Sequence, residues 1–339
     1  MKIRIIAFSS NGCATALKIR DGLDEDAEVW CKTKADSGEV PKIKGSVDKW
    51  TQEAFEECEA IVFIGAVGIA VRHCAPYLKS KDVDPAIICL DELGKYCIPL
   101  LSGHIGGANR LALRIADILG SEPVITTATD INGKWAVDVF ATDNRMRIIR
   151  LHEAKEASSR ILHGGFIGFA CDMPYEGTLP EGLTPADSGE FGICISSDGR
   201  KPFKHTLALV PMDIVLGIGC KRDTDPKKLS AFVKEILEQD GISPLRVRGI
   251  ASIDLKKDER ALHELAEELD TDLQFYTADQ LLSLEGEFSS SDFVKSVTAV
   301  DCVCERSAAM LSGGEIIRKK TAKDGMTLAI CRNKLTPRF

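Results

Sequence analysis

The sequence predicts an α/β fold: a mainly parallel N-terminal sheet flanked by helices, a small α+β middle region, and a second α/β domain at the C-terminus. Short apolar runs such as residues 60–64 are typical of strands buried on both faces of a parallel sheet. Segments with helical spacing of apolar residues alternate with these runs. Glycine turns at residues 65–68 and 103–107 connect strand ends to helix starts, as in βαβ units.

The 339 residues are enough for two or three domains. Changes in pattern predict an N-terminal domain at 1–130, a middle domain at 131–211 and a C-terminal domain at 212–339. An apolar fraction of 44% and a charged fraction of 28% are ordinary for a soluble protein. The net charge of −8 argues against nucleic acid as a partner, although a local basic pocket can still bind a polyanionic small molecule.

Within the N-terminal domain, strand and helix patterns follow one another closely. Predicted strands lie at 1–8, 27–31, 60–64, 86–90 and 96–101, and predicted helices at 13–23, 47–58 and 111–119. Gly120 stands where a helix C-cap is expected, and Pro123 follows soon after. The β-branched run at 124–127 predicts one further strand.

The middle and C-terminal domains differ in the order of their predicted helices and strands. In the middle domain, helices are predicted at 135–143 and 151–162, and strands at 166–171, 191–196 and 206–210. In the C-terminal domain, strands are predicted at 214–219, 247–252, 273–276, 315–319 and 327–331, and helices at 259–269, 291–297 and 307–311. A further helix there has Thr224 or Asp225 as its cap, Pro226 in its first turn and Gly241 after its end.

The twelve cysteines form no Cys-x-x-Cys pair. Six of them lie in apolar surroundings, where a free cysteine acts as a small hydrophobe: Cys13, Cys58, Cys89, Cys97, Cys171 and Cys194. We therefore expect a reducing cytoplasm and neither a disulfide framework nor a structural zinc. Cys220 has no evident histidine partner and is not interpreted as a nucleophile. Cys302 and Cys304 are interpreted as alternate residues of one strand rather than as metal ligands.

Two further features bear on location. No apolar run reaches the length of a membrane span, so no membrane partner is expected. The apolar start at residues 1–8 is broken too early by residues 9–12 to be a signal peptide, and we interpret it as a buried first strand.

The turn at residues 102–109, Ser-Gly-His-Ile-Gly-Gly-Ala-Asn, is the strongest local indication of function. Its glycines free backbone amides to face a ligand, and the helix behind them favours negative charge. His104 has an ordinary pKa near neutrality, so we interpret it as a general acid or base. The amides of Gly106 and Gly107 would stabilise an oxyanion, and Asn109 lies in the first helical turn. The alternative is a glycine turn required only by tight packing.

Residues 125–130, Ile-Thr-Thr-Ala-Thr-Asp, place three hydroxyls and a carboxylate just past a predicted strand end. As a functional feature, the hydroxyls would bind a polar ligand and Asp130 would orient a histidine. The hydroxyls belong to Thr126, Thr127 and Thr129. Together with Ser102 and His104, Asp130 forms the predicted catalytic set. A threonine-rich strand edge followed by an Asx turn explains the same residues without a ligand.

Cations also lie at the ends of three other predicted strands, within residues 65–72, 217–222 and 251–257, and glycines accompany them in the first two stretches. Clustered Lys and Arg at strand ends suit carboxylates or phosphates, whereas the alternative is solvated surface charge. The predicted substrate-binding residues outside the two stretches above are Gly65, Gly68, Arg72, Lys221, Arg222, Ser252, Asp254, Lys256 and Glu305.

Five stretches in this order carry a specific resemblance: GAVGIAVR, DPAIICLDELGKYCIPLLSGHIGGANRLA, ITTATDINGKWAVDVFA, LGIGCKR and ASIDLKKDE. They resemble the cobalt-precorrin-5A hydrolase family (CbiG) of anaerobic cobalamin biosynthesis, over nearly the whole chain from about residue 60. The part from residue 212 also resembles the stand-alone CobE protein of the aerobic pathway.

This resemblance implies a reaction. The substrate is a cobalt-bearing tetrapyrrole with a δ-lactone, which is opened by hydrolysis with loss of a two-carbon piece as acetaldehyde, giving cobalt-precorrin-5B. Cobalt would arrive within the substrate, so no separate cofactor or protein-bound metal is expected. Transient contact with neighbouring enzymes of the pathway is a further expectation.

Two other classes of function stay open at this point. One is a non-catalytic carrier that holds a labile corrinoid intermediate. The other is an enzyme that binds a nucleotide or phosphate with the same glycine loops. The chain has no GxxxxGK[ST] motif and no clear GxGxxG after its first strand, which disfavours the second class.

Overall fold

A computed structural model describes residues 1–80, 83–103, 106–290, 298 and 300–339. The chain divides into two compact units, Met1–Val139 and Phe140–Phe339, which are described separately below. The strands of the three described sheets fall within residues 2–123, 146–211 and 214–332. The domain boundaries near residues 130 and 211 stay a prediction.

The first unit contains a six-stranded sheet in the order β2-β1-β3-β4-β5-β6. Its strands are β1 (Lys2–Ala7), β2 (Asp26–Cys31), β3 (Ala60–Ile64), β4 (Ala86–Leu90), β5 (Tyr96–Leu101) and β6 (Glu122–Pro123). All neighbouring pairs are parallel except β4–β5, an antiparallel hairpin. The predicted mainly parallel sheet is confirmed.

Helices cover both faces of this sheet because successive strand residues point to opposite sides. The helices that pack on it are α1 (Ser10–Gly22), α2 (Val47–Glu57), α3 (Val67–Cys74) and α4 (Ala108–Leu119). Two shorter helices follow β6 along the chain, α5 (Ala128–Ile131) and α6 (Val137–Asp143), and the division between the two units falls within α6. On one face, Ile5 and Val62 pack with residues of α1 and α4. On the other face, Ile6 and Phe63 pack with Trp50 of α2 and with α3. The sheet is therefore buried on both sides.

The strand predicted at 124–127 is wrong, because the strand at this edge of the sheet is Glu122–Pro123. Its last ladder bond runs from the Val124 amide to the Cys97 carbonyl, at 2.8 Å. The next donor on β5 would be Pro99, which has no N–H, so the ladder cannot continue. The chain instead enters α5, which places Asp130 in a helix rather than after a strand.

The second unit holds two sheets. The first has the order β7-β11-β10-β8-β9. Its elements are β7 (Met146–Ile148), α7 (Leu151–Leu162), β8 (Ile167–Cys171), β9 (Leu183–Pro185), β10 (Gly189–Ile195) and β11 (Phe203–Pro211). Only the β7–β11 pair is antiparallel. Sequence reasoning missed β7 and β9, which have three residues each and carry no alternation pattern.

The other sheet of this unit has the order β14-β13-β12-β16-β15. Its strands are β12 (Ile214–Cys220), β13 (Val247–Ile253), β14 (Asp272–Tyr276), β15 (Glu315–Lys323) and β16 (Met326–Arg332). Its helices are α8 (Pro226–Gln239), α9 (Arg260–Leu269), α10 (Ala278–Leu282) and α11 (Val303–Ser312). Strands β12, β13 and β14 are parallel, and β15 and β16 are antiparallel to their neighbours. The predicted second α/β region is confirmed.

Helix α8 begins as the sequence predicts, with the Asp225 side chain accepting from the Lys227 amide at 2.9 Å. Helices α8 and α9 share an apolar core with one face of this sheet. Helix α11 packs on Val215 and Cys331 at the other face.

One helix was missed here, one prediction is wrong, and one cannot be compared. Helix α10 was not predicted. Cys302 and Cys304 do not belong to a strand, because α11 begins at Val303 and Cys302 is its N-cap. The helix predicted at 291–297 lies outside the described residues.

Candidate functional site

The C-terminal sheet carries a cavity of about 630 Å³ at the carboxyl ends of β12 and β13. Ligands of parallel sheets bind at this end of the strands. Much of the lining is apolar, including Ile253, Leu255, Val303 and Met326. Leu255 is 63% exposed, whereas leucine side chains are more often buried in folded proteins. The cavity is therefore suited to a ligand with a large apolar surface.

Four cationic side chains line the same cavity: Lys221, Arg222, Lys256 and Lys320. Lys221 and Arg222 are exposed and directly follow β12, and the Lys221 amide donates to the Gly325 carbonyl at 3.2 Å. Lys256 is half-buried, and its Nζ lies 3.4 Å from Oε2 of Glu259. This concentration of positive charge in a chain of net charge −8 is suited to a polyanionic ligand.

Three of these cations were predicted from the sequence as substrate-binding residues. Lys320 was missed, because it comes from β15, which lies 64 to 99 residues further along the chain than the other three cations. The basic run Arg318-Lys319-Lys320 was the available signal, but it does not reveal which strand it pairs with.

Ser252 also lines the cavity but is fully buried, and its hydroxyl donates to the Ile218 carbonyl at 2.7 Å. Asp254 lies in the short helical turn that follows β13 and is half-buried. The Ser252 hydrogen bond connects β13 to β12, and the cations Lys221, Arg222 and Lys256 follow the ends of these two strands.

Glu305 is fully buried on α11 and has internal partners on both carboxylate oxygens. Its Oε2 accepts from the Ser289 amide, and its Oε1 accepts from the Ser289 hydroxyl and the Lys320 amide, each at 2.7 Å. Burial alone would raise the pKa of this carboxyl, but the hydrogen bonds from Lys320 and Ser289 outweigh it and hold the pKa below its ordinary value. Glu305 ties α11 to β15, and its assignment to substrate binding stays a prediction.

Three thiols complete the cavity wall: those of Cys220, Cys302 and Cys304. The Sγ atoms of Cys302 and Cys304 are 3.7 Å apart, and both cysteines are free. Sequence reasoning did not assign them to a site because it placed them in a strand.

The glycine turn of the first unit is the other candidate site. His104, its predicted acid or base, lies outside the described residues, as does Ile105. Ser102 follows β5 with a left-handed backbone, φ 57°, and its Oγ donates to the Asp84 carbonyl at 2.9 Å. That bond anchors the start of the turn to the loop before β4.

The turn folds back on its own backbone. The amides of Ala108 and Asn109 donate to the carbonyls of Ser102 and Gly103, both at 3.0 Å. Gly106 packs so closely that a Cβ there would lie 2.4 Å from the Cβ of Ser102. Gly107 is the N-cap of α4 with φ 78°. Both glycines are therefore required by the backbone, and their oxyanion-binding role stays a prediction.

Asn109 connects this turn to the threonine-rich stretch. It is buried, and its Nδ2 donates to Oγ1 of Thr127 at 3.0 Å and to Oδ2 of Asp130 at 2.8 Å. Thr126 is exposed beside them, and Thr129 belongs to α5. The structure thus brings together Asn109, Thr127 and Asp130, which were predicted from two separate motifs.

The glycine turn that follows β3, at residues 65–68, belongs to the same unit. The Gly65 amide donates to the Leu90 carbonyl at 2.8 Å, and the predicted role of Gly65 in substrate binding stays a prediction. Gly68 and Arg72 are exposed on α3. Their binding role also stays a prediction.

The residues that the structure describes include neither a metal-binding cluster nor a membrane-spanning helix. Among them, no cluster of three or more His, Cys, Asp or Glu side chains has the arrangement of a metal site. No helix among them is both long and apolar enough to cross a bilayer.

Three family models match this chain in succession. Residues 49–130 match the model described as cobalamin synthesis G N-terminal, residues 135–211 match the cobalamin biosynthesis central region, and residues 214–331 match the cobalamin synthesis G C-terminus.

Individual proteins are also similar. The cobalt-precorrin-5A hydrolase of Salmonella typhimurium is 34% identical over 341 residues, which cover 96% of this chain and 92% of that protein. Protein CobE of Sinorhizobium sp is 31% identical over 108 residues, which cover 31% of this chain and 68% of that protein. A crystal structure of a cobalamin biosynthesis protein G homolog from Sulfolobus solfataricus is 25% identical with a TM-score of 0.44, covering 98% of this chain and 97% of that one.

Proposed function

This chain belongs to the cobalt-precorrin-5A hydrolase family of cobalamin biosynthesis, and we propose that its C-terminal cavity binds the carboxylates of the substrate. The resemblance stated from the sequence, including its CobE component, is confirmed. The chain is accordingly a hydrolase that acts on cobalt-precorrin-5A. One observation carries the proposal for the cavity: four cations line a pocket whose wall is otherwise largely apolar.

The chemistry of the substrate class supports this assignment. A precorrin has a large apolar macrocycle edged with acetate and propionate groups. Lysine and arginine donors recognise such carboxylates by charge-assisted hydrogen bonds, and the guanidinium of Arg222 can do so with two donors at once. Apolar residues such as Ile253 and Leu255 would contact the ring itself.

The hydrolytic step is proposed to open the δ-lactone of the substrate, with acetaldehyde as the second product. Lactone opening requires a base that activates water and donors that stabilise the tetrahedral oxyanion. We assign these roles to His104 and to the amides of Gly106 and Gly107, with Ser102 and Asp130 as supporting residues. The Asn109 contact to Asp130 supports a defined position for that carboxylate.

Cobalt is proposed to reach the protein as part of the substrate, so that no separate cofactor takes part. The reaction is proposed to occur in the cytoplasm. Twelve free cysteines are compatible with such a reducing compartment. Transient contact with neighbouring enzymes of the pathway belongs to the same proposal.

The cavity is tested by the double variant Lys221→Ala/Arg222→Ala. Loss of two charge-assisted contacts is expected to raise KM for cobalt-precorrin-5A about 10- to 100-fold, with a much smaller change in kcat. Steady-state assays of acetaldehyde release measure both constants.

The matched control is Lys228→Ala, which removes an exposed cation on α8 that does not line the cavity. It is expected to leave both constants unchanged. An unchanged KM in the double variant, or an equal rise in the control, would show that the cavity does not bind the substrate.

The catalytic assignment has its own test. His104→Ala is expected to abolish acetaldehyde release while the affinity for substrate, measured by quenching of intrinsic fluorescence, persists. Normal turnover in this variant would reject the assignment. If the purified wild-type protein binds the substrate but releases no acetaldehyde, the chain is a carrier rather than an enzyme.

A further inference from the structure

Lys221 is a cavity cation whose backbone is held on both sides. Its amide donates to the Gly325 carbonyl at 3.2 Å, and its own carbonyl accepts from the Thr224 hydroxyl at 2.7 Å. Lys221 directly follows β12, whereas Gly325 belongs to the turn that joins β15 to β16. The side chain of this exposed residue therefore starts from a defined point at the carboxyl end of β12.

The carbon chain of Lys221 lies against the same glycine. A Cβ added to Gly325 would be 2.3 Å from Cε of Lys221, 2.6 Å from its Cδ and 2.9 Å from its Cγ. All three distances are shorter than an ordinary contact between carbon atoms, which is about 3.5–4.0 Å. Only a residue without a Cβ therefore leaves room for the lysine where it lies.

The turn itself also favours glycine. Asp324 and Gly325 are the two residues between the paired Lys323 and Met326, and both have left-handed backbones, φ 52° and 81°. Two-residue hairpin turns of this kind favour Asp-Gly, because glycine adopts a positive φ without strain. The two demands on Gly325 can be separated, since asparagine tolerates such a backbone but still carries a Cβ.

The charge of Lys221 differs from that of Lys256 in the same cavity. The Lys256 Nζ lies 3.4 Å from Oε2 of Glu259, a carboxylate of the protein itself. In the part of the chain that the structure describes, no carboxylate forms an ion pair with Lys221. An ammonium on a supported stem is suited to a ligand carboxylate, because less side-chain freedom is lost when it binds.

We propose that Gly325 is a positioning residue for substrate binding, because it holds the Lys221 ammonium in the cavity for a carboxylate of the substrate. The inference rests on the proposed function, since it requires the substrate to bind in this cavity. Gly325 acts through the lysine stem rather than through a bond to the substrate. Ordering the stem beforehand reduces the entropy that binding must remove from a long side chain.

The test compares KM and kcat for cobalt-precorrin-5A in Gly325→Ala and in the wild type. The added methyl group displaces the stem of Lys221, so KM is expected to rise about 3- to 10-fold with little change in kcat. Gly325→Asn is expected to raise KM equally, and it keeps the test informative if alanine strains the turn. A wild-type KM in either variant overturns the proposal.

A double-mutant cycle shows whether Gly325 acts through Lys221. Lys221→Ala removes the stem that a Cβ at position 325 displaces, so Gly325→Ala should raise KM no further in that background. Sodium chloride gives a second readout, because screening weakens the attraction between ammonium and carboxylate. The rise of KM with salt should be shallower in both single variants than in the wild type. Additive effects on KM, or an unchanged salt dependence in Gly325→Ala, overturn the positioning role.

The matched control is Gly241→Ala. Gly241 has a similar left-handed backbone, φ 64°, but a Cβ there would meet no described atom within 4 Å, and the residue does not line the cavity. This variant is expected to carry comparable backbone strain and to keep the wild-type KM. An equal rise of KM in the control would assign the effect to strain and overturn the proposal.

The double variant Lys221→Ala/Arg222→Ala separates this inference from the proposed function. If its KM rises and that of Gly325→Ala does not, only the positioning role is refuted. If its KM is unchanged, the substrate does not bind in the cavity, and both proposals fail.

Discussion

At the scale of single residues, Glu305 shows how a buried charge is retained. Its carboxylate accepts three hydrogen bonds at 2.7 Å, which link α11 to β15 and to Ser289. A buried carboxylate without such partners would cost several kcal/mol. The side chain therefore maintains the wall from which Cys304 and Lys320 face the cavity.

Glu305→Gln is expected to destabilise the protein by about 1–3 kcal/mol at pH 7, because an amide NH₂ cannot accept from the Ser289 or Lys320 amides. The folded carboxyl has a lowered pKa, so its stabilisation is complete above the ordinary value of 4.5 and is lost as the pH falls through the folded value. The difference between wild type and variant should therefore shrink on acidification. Urea unfolding at several pH values measures it.

The control for this prediction is Glu315→Gln, an exposed carboxylate on β15 with the same change of charge. Its unfolding midpoint should match that of the wild type. A Glu305→Gln variant as stable as this control would mean that the three hydrogen bonds do not form.

The sequence allowed the chemistry of single residues to be predicted better than their partners. Lys221, Arg222 and Lys256 were identified from their own strand ends, and they line one cavity. Lys320 could not be added, because no local pattern indicates that β15 pairs with β16 and so reaches the same wall. Asn109 was predicted as a ligand-binding residue, but its contacts to Thr127 and Asp130 depend on a turn of the chain that periodicity does not encode.

At the scale of elements, the contact of β12 with α11 is unusually close. A Cβ on Gly217 would lie 1.8 Å from the Cys304 carbonyl oxygen and 2.8 Å from the Cβ of Ala308. Helix α11 therefore packs directly on the backbone of the strand. Glycine at this position is required by packing rather than by backbone conformation.

Gly217→Ala is expected to lower the free energy of unfolding by about 1–3 kcal/mol or more, because the helix must move away from the sheet. The same movement displaces Cys302 and Cys304, so binding in the cavity should weaken as well. Chemical denaturation and corrinoid titration measure the two effects.

Gly45→Ala serves as the comparison, since a Cβ there would meet only the Lys49 side chain, at 4.0 Å. It should be within about 0.5 kcal/mol of the wild type, as is usual for surface substitutions. Equal stability of the two variants would contradict the close packing of α11.

Elements were predicted well where periodicity was strong. Strands β3, β4 and β5 and helix α7 have the bounds that the sequence indicated. The prediction failed at 124–127, where β-branched residues favour a strand but Pro99 of the neighbouring strand cannot donate to it. It failed again at Cys302 and Cys304, where the alternation of residues suggested a strand but the segment forms the N-cap and first turn of α11. Both errors arise because a partner, not the segment itself, decides the structure.

At the scale of the whole molecule, most of the cysteines belong to the buried cores. Ten of the twelve are buried, and only Cys171 and Cys220 are partly exposed. Burial raises the pKa of Cys74, Cys97 and Cys331 to about 12. These thiols are therefore protonated and unreactive at ordinary pH in the folded state.

Thiol titration with an aromatic disulfide reagent at pH 8 should show a fast phase from the two partly exposed cysteines. The remaining thiols should react only as the protein unfolds, to a total of twelve in denaturant. Cys220→Ser should remove one equivalent from the fast phase. Fewer than twelve thiols in denaturant without reductant would reveal a disulfide and contradict the free state of these residues.

The packing of α11 directly on the backbone of Gly217 also limits how this protein can be redesigned. No shorter residue than glycine exists, so the inner wall of the cavity cannot be deepened by trimming the strand beneath it. Directed evolution toward bulkier corrinoids, or toward corrinoids with other side chains, should therefore change exposed lining residues such as Leu255 and Lys221. It should leave Gly217 unchanged.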